Sequence, residues 1–301
     1  MPYPQRNEFE EQYSPSSSAP ETEQNSWAAR LLRTDRPRLN MVLFILTCLS
    51  TFFIGYSFDD SIVSGLWYAG GIISILLAHE MGHYLMCVYY RIPATLPFFI
   101  PFPSPPFGTM GAVIRMDGRM PNRRVLFDIG VAGPLAGLVF TIPAIYFGLK
   151  MSTVVQITGN NNIFTLGDSL LFKWLGYLTV GELAAGYDTL LHPLAYAGWA
   201  GLFVTALNLL PIGQLDGGHI LYALLGERGR QIYSVTMALF ALLGIVKFSG
   251  WRLLIVLLLW FGYRHPPTLE NEEPLDAKRR VLAYFTFLIF VLSFTPVPFQ
   301  F

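Results

Sequence analysis

Two histidines and a glutamate stand together in the run Ala78-His79-Glu80-Met81-Gly82-His83, an H-E-x-x-H arrangement. His79 and His83 are close to one helical turn apart, so on a helix both imidazoles project from one face and can ligate a single Zn²⁺, with Glu80 beside them as general base. A hydrolytic zinc site takes three protein ligands and keeps one position for water, so a third ligand is needed. The candidate is Asp216, in Asn208-Leu209-Leu210-Pro211-Ile212-Gly213-Gln214-Leu215-Asp216-Gly217-Gly218-His219. Pro211, Gly213, Gly217 and Gly218 interrupt a helix there, and irregular backbone at membrane depth is tolerated only where protein buries it or it lines a wet cavity. Two blander readings compete: a hydrogen-bonded histidine pair facing a polar helix, and an ordinary helix-terminal aspartate at the water interface.

The elements that must position these groups are membrane spans. Hydrophobic residues make up 53% of the 301 and charged residues only 13%, where a soluble chain carries about 25% charged. Twenty basic residues balance twenty acidic ones, so the chain as a whole has no electrostatic footprint for nucleic acid. Cys48 and Cys87 lie in apolar stretches without C-x-x-C spacing, which argues against a disulfide framework or a thiolate zinc site. Residues 1–37 are rich in Pro, Ser, Glu and Gln and offer little to bury, so a disordered tail is expected there, with no cleavable secretory signal.

A helix crossing about 30 Å of hydrocarbon needs roughly 20 apolar residues. Leu39–Phe58 supplies one span, and Ile62–Tyr90 a second that carries the titratable cluster. Further apolar runs cover Val125–Leu149, Leu191–Leu210, Ile232–Val246, the short Trp251–Tyr263 and Val281–Val297, giving six or seven crossings. Arg30, Arg33, Arg36 and Arg38 precede the first span, which places the amino terminus in the cytoplasm because basic residues flank spans on that side. Asp59 and Asp60 then fall outside, Arg91, Arg115, Arg119, Arg123 and Arg124 inside, and Arg228, Arg230, Arg264 and Lys278–Arg280 keep the alternation. No internal or inverted repeat of the kind transporters use is visible.

The two chemical segments together resemble the site-2 protease family of intramembrane zinc metalloproteases, whose patterns H-E-x-x-H and N-x-x-P-x-x-x-L-D-G are matched by His79 to His83 and by Asn208, Pro211, Leu215, Asp216 and Gly217. Asp128-Ile129-Gly130-Val131-Ala132-Gly133-Pro134-Leu135-Ala136-Gly137 is similar to the family's third core helix, so the resemblance covers about residues 71–220. It implies zinc ligation by His79, His83 and Asp216, water activation by Glu80, and a substrate-facing Asn208, for which a cross-helix hydrogen bond is an equal alternative. It also implies membrane-anchored protein substrates cut within or beside a transmembrane helix. The stretch Lys150–His192 is too short for the peptide-binding module some members insert there.

Between spans two and three, Phe98-Phe99-Ile100-Pro101-Phe102-Pro103 leads into Phe107-Gly108-Thr109-Met110-Gly111-Ala112-Val113-Ile114-Arg115. Prolines preclude a regular helix, and a strand or hairpin dipping into the membrane face is expected. A substrate helix hides its amides in i to i−4 bonds and must unwind before cleavage, and an open strand edge can receive it. Gly108, Thr109 and Gly111 are the candidate substrate contacts, with a structural surface loop as the competing reading. Asp128 reads as a cap or interface residue, His219 as solvated or as a donor behind Asp216, and His192 and His265 as span-end histidines. Gly133-Pro134-x-x-Gly137 is expected to let helices approach closely. A short surface-lying or re-entrant helix is possible within Gly159–Gly186.

The fold expected is an all-α polytopic membrane protein of six to seven transmembrane helices around a three-helix catalytic core, with a short β-hairpin or re-entrant strand loop. Residues 1–37 would form a cytoplasmic tail, 38–264 the intramembrane metalloprotease domain, and 265–301 a cytoplasmic linker with a final transmembrane helix. A prokaryotic plasma membrane is the expected location, one Zn²⁺ the cofactor, and the lipid bilayer and membrane-anchored proteins the partners; the oligomeric state stays open. One alternative enzyme class takes its third ligand from E-x-x-x-D, but Glu272 to Asp276 spans Pro274 in a polar linker. A metal-ion carrier or a silent binder of membrane segments is the alternative outside enzymes; it would have no use for Glu80 as a base.

Overall fold

The computed structural model describes residues 37–116, 120–156, 165–246, 251–252, 255–256, 268–269 and 273–300. Eight α-helices carry the framework of these residues: α1 Pro37–Tyr56, α2 Ile62–Tyr89, α3 Arg123–Lys150, α4 Leu170–Thr179, α5 Pro193–Asn208, α6 Asp216–Leu225, α7 Arg230–Val246 and α8 Ala277–Ser293. A 3₁₀ turn at Gly226–Gly229 joins α6 to α7. Helix starts follow local chemistry: the Asn122 side chain accepts the backbone N–H groups of Arg124 and Val125 before α3, and Ser169, His192 and Asp276 do the same before α4, α5 and α8, satisfying donors that have no partner within the helix.

Among the described residues, four helical stretches are long and apolar enough to cross a membrane: Pro37–Tyr56, Ile62–Tyr89, Arg123–Lys150 and Asp216–Val246, the last joining α6 and α7. This is a membrane protein built mainly of helices. The run expected as a fourth span forms α5, which has only 16 residues and rises about 24 Å at 1.5 Å per residue. It packs against both α2 and α3, and Ala195, Ala197, Trp199, Ala200, Leu202 and Ala206 are all buried. The last run forms α8, of 17 residues. The amino-terminal tail through residue 36, Arg119, Arg264, His265, Glu272 and most of Trp251–Tyr263 lie outside the described residues.

Among the described residues, three two-stranded sheets modify the all-helical expectation. The strand loop expected after α2 is present: β1 Phe98–Pro101 pairs antiparallel with β2 Thr109–Val113, matching Phe98 to Val113 and Phe99 to Ala112, then slipping to match Pro101 to Thr109. This hairpin lies along α1. Near its base the Asn40 amide donates to the carbonyls of Leu96 and Pro97, and Ser50 Oγ donates to the Gly108 carbonyl at 2.6 Å. Its tip is held by the Tyr68 hydroxyl on the Phe107 carbonyl and the Tyr196 hydroxyl on the Pro106 carbonyl. Backbone polar groups that a bilayer could not satisfy thus find protein partners.

Between α3 and α5, β3 Thr153–Gln156 pairs with β5 Tyr187–Leu190, and α4 lies beside them, burying Phe172 and Leu175 while exposing Leu170, Trp174, Tyr177 and Leu178. Beyond α8, β6 Phe299–Gln300 pairs with β4 Thr165–Leu166. Phe299 joins an aromatic cluster with Phe107, Trp199 and Phe203, so the end of the α8 segment reaches the hairpin tip.

Candidate metal centre

His79, Glu80 and His83 sit deep in α2 and all three are buried, while Asp216 opens α6. The loop between α5 and α6 folds back tightly enough to deliver it. A Cβ on Gly217 would come 2.0 Å from the Leu209 carbonyl oxygen, and one on Gly218 2.3 Å from that of Gly213. At the first turn of α6 a carboxylate also meets the positive end of the helix dipole.

The structure brings the three expected ligands together. His79 Nε2 lies 3.2 Å from one Asp216 carboxylate oxygen and His83 Nε2 3.3 Å from the other, and the two imidazole nitrogens are 3.3 Å apart. Their ligand atoms fall within 4.8 Å of one another, close enough to hold one metal ion. Bonds of about 2.0–2.1 Å to a tetrahedral Zn²⁺ require ligand atoms about 3.3–3.4 Å apart; the two nitrogens stand at that distance from each other, each lies as close to one of the two Asp216 oxygens, and two nitrogens with one carboxylate are a zinc donor set.

The ring of His83 is oriented from behind. Its Nδ1 lies 2.8 Å from the carbonyl oxygen of Ile129 in α3; a carbonyl only accepts, so Nδ1 carries the proton and Nε2 presents its lone pair to the site. Close approach of α3 depends on glycine. A Cβ on Gly133 would lie 2.0 Å from His83 Nε2, and one on Gly137 3.3 Å from His79 Cβ, which is the close packing expected of the Gly133-Pro134-x-x-Gly137 run. Gly82 does the same in the other direction, toward the Ala132 carbonyl.

Strand β2 packs against α2, and the backbone N–H of Ile114, just past the end of β2, faces Glu80 closely enough to act on its carboxylate, so the hairpin comes up beside the glutamate. The Asn208 amide, at the end of α5, lies 3.1 Å from His79 Nε2. Gly108 and Thr109 have other neighbours. Gly108 adopts φ +77° against Ser50 and Ile54 of α1, and Thr109 Oγ1 donates to the Ile100 carbonyl while accepting the Gly111 N–H. Gly111, at φ +95°, faces open space.

Asp128 is not the cap of α3, a role taken by Asn122. Its carboxylate is gripped by Arg279 of α8 and by the Tyr90 hydroxyl, contacts that no local pattern announces because Arg279 lies 151 residues away. His219 is half-buried with its Cβ against Gly130 of α3. His192 caps α5 through Nδ1.

Comparison with known proteins agrees with this geometry. The chain is 31% identical over 247 residues to the probable chloroplastic zinc metalloprotease EGY1 of Oryza sativa subsp. japonica, covering 78% of this chain and 41% of that protein. It is 30% identical over 257 residues to EGY1 of Arabidopsis thaliana, covering 80% and 44%, and 31% identical over 240 residues to EGY2 of the same plant, covering 77% and 42%. The chain thus spans less than half the length of these relatives. No solved structure matches it. The model of peptidase family M50 matches residues 67–248, a stretch that contains most of α2, all of α3, both histidines and Asp216, and the chain belongs to that family.

Proposed function

We propose that this protein is a zinc-dependent intramembrane endopeptidase, with His79, His83 and Asp216 as the metal ligands and Glu80 as the general base. The observation that carries this reading is the clustering of His79, His83 and Asp216 between α2 and α6, with the two Nε2 atoms 3.3 Å apart and each 3.2–3.3 Å from one Asp216 carboxylate oxygen. Bound there, Zn²⁺ supplies Lewis acidity: it polarises a peptide carbonyl and lowers the pKa of a water to about 7. Glu80 takes the proton of the attacking water and passes it to the leaving amine. Burial of the site excludes competing water and strengthens the charges that act on the carbonyl.

The substrates we propose are membrane-anchored proteins with a transmembrane helix, received in extended form beside β2. The support is the packing of β2 against α2, which brings the end of that strand beside Glu80, and the open space at Gly111. To Asn208, whose amide makes a cross-helix contact at 3.1 Å from His79 Nε2 and so borders the proposed metal site, this reading gives the role of donor to the substrate backbone. Gly108 and Thr109 contribute by holding the hairpin against α1 and in its bend.

The catalytic core in this reading is α2, α3 and the α5–α6 corner, within a bundle of six or seven crossings whose amino terminus is cytoplasmic. Residues 38–264 form the protease domain, preceded by a cytoplasmic tail and followed by a linker and final helix. The relatives named above are chloroplastic by name, so the expected prokaryotic plasma membrane has no support from them, and the location proposed is a multi-pass one in a membrane left unspecified.

The experiment is to purify the full chain, count zinc per chain, and incubate it with a panel of single-span reporters beside the Glu80→Gln variant. The wild type should hold one zinc and cleave, and Glu80→Gln should hold one zinc with cleavage reduced by about 10²-fold or more. Undiminished cleavage by Glu80→Gln would remove the base from the reading.

A further inference from the structure

We infer that Arg279, on α8 and beyond the stretch matched by the family model, is a positioning residue for the metal centre that holds His83 in its ligating orientation through Asp128 and Ile129. The inference deepens the metal-site reading and rests on it.

The contact chain is short. Arg279 Nε donates to Asp128 Oδ1 at 2.8 Å and Nη2 to Oδ2 at 2.6 Å, a bidentate pairing that fixes direction as well as charge. The remaining guanidinium nitrogen, Nη1, bonds Asp276, whose other oxygen caps α8 at the Arg279 N–H. The same Asp128 oxygen accepts the Tyr90 hydroxyl. Tyr90 follows α2 seven residues after His83, two turns along the same face. Asp128 directly precedes Ile129, whose carbonyl receives the His83 Nδ1 proton. One carboxylate therefore ties α2, α3 and α8 together one peptide unit away from the group that orients a proposed ligand.

The position of α3 matters at this point because the helix lies directly on the ligand. The 2.0 Å separation between a Cβ at Gly133 and His83 Nε2 leaves no room for α3 to slide along α2 without moving the imidazole. Tyr90 and Arg279 oppose that slide. The ion pair is well shielded, with Asp128 and Arg279 side chains 14% and 20% exposed, so neither charge can be removed without leaving the other poorly compensated. By contrast the Arg124–Glu273 pair, also anchored on α3, is 37% and 75% exposed, so water screens it and takes over from either partner when the other is lost.

The test is competition for zinc between the purified full chain and a chromophoric chelator, together with the visible spectrum of the Co²⁺-substituted protein, which reports ligand geometry independently of cleavage. Arg279→Gln should weaken zinc binding by about 10- to 100-fold and alter the Co²⁺ bands. Tyr90→Phe, which removes one hydroxyl and keeps the ion pair, should shift both readouts the same way by less, and it carries the test if Arg279→Gln does not fold. Arg124→Gln should match the wild type. Wild-type zinc affinity and Co²⁺ spectra in folded Arg279→Gln, or in Tyr90→Phe where the former does not fold, would overturn the inference. A wild-type chain that holds no zinc would instead overturn the metal-site reading, which distinguishes the two failures.

Discussion

Gly133 of α3 and His83 of α2 meet so closely that a Cβ on the glycine would stand 2.0 Å from the imidazole Nε2. No real Cβ contact is that short, so Gly133→Ala must push the ring or the helix away. The expected outcome is zinc content far below one per chain, measured by atomic emission on the purified protein. Gly70→Ala on the same helix as His83, where a Cβ meets nothing within 4 Å, serves as control and should retain the metal. A Gly133→Ala protein with full zinc would show that the centre tolerates a displacement this packing forbids.

Asp216→Ala removes the only carboxylate of the His79–His83–Asp216 group and leaves two imidazoles to hold the ion. Zinc retention should fall steeply, since a site with two protein ligands is one short of the three that hydrolytic zinc centres use. Asp216→Glu, which keeps the charge but lengthens the arm in a loop with no slack at Gly217 and Gly218, should restore part of it. Zinc stoichiometry is the measurement, and an unchanged value in Asp216→Ala would dismiss this ligand.

The ligands were legible in the sequence because their chemistry is local: His79 and His83 share a helical turn, and Pro211, Gly217 and Gly218 mark the corner that carries Asp216. What holds them was not. The bond from His83 to Ile129 spans 46 residues and that from Arg279 to Asp128 spans 151, and no periodicity encodes a partner so distant. Hydropathy alone does not separate a crossing from a helix enclosed by other helices such as α5, because both read as continuous apolar runs. The strand loop is recognisable from its prolines and β-branched residues, whereas the folding role of Gly108, at φ +77° beneath Ser50 of α1, rests on a contact 58 residues away.

That role has a measurable consequence. Gly108→Ala puts a side chain on a backbone conformation L-residues rarely adopt and brings it 2.9 Å from the Ser50 carbonyl oxygen, costing about 1–3 kcal/mol. Ser50→Ala, which deletes the 2.6 Å bond to the Gly108 carbonyl, should cost about 1 kcal/mol. Both should lower Tm in detergent. A pure substrate contact at Gly108 would instead leave Tm unchanged and raise KM for a cleaved reporter.

His192 supplies a pH-dependent contribution outside the membrane-spanning segments. Its Nδ1 accepts the Leu194 N–H at 3.2 Å at the start of α5, which requires a lone pair and hence the neutral ring. Burial lowers its pKa from the ordinary 6.5, against an opposing pull from Asp59. The unfolded chain therefore binds the proton first as pH falls, so the contribution is complete above about pH 6.5 and is lost as pH drops from there through the folded-state value. His192→Asn keeps a good capping side chain without the titration. The difference in Tm between wild type and His192→Asn should be constant above pH 7 and move against the wild type below pH 6, because only the wild type loses its cap on protonation. Parallel Tm curves across that interval would show that the ring at this position is not titrating against the helix.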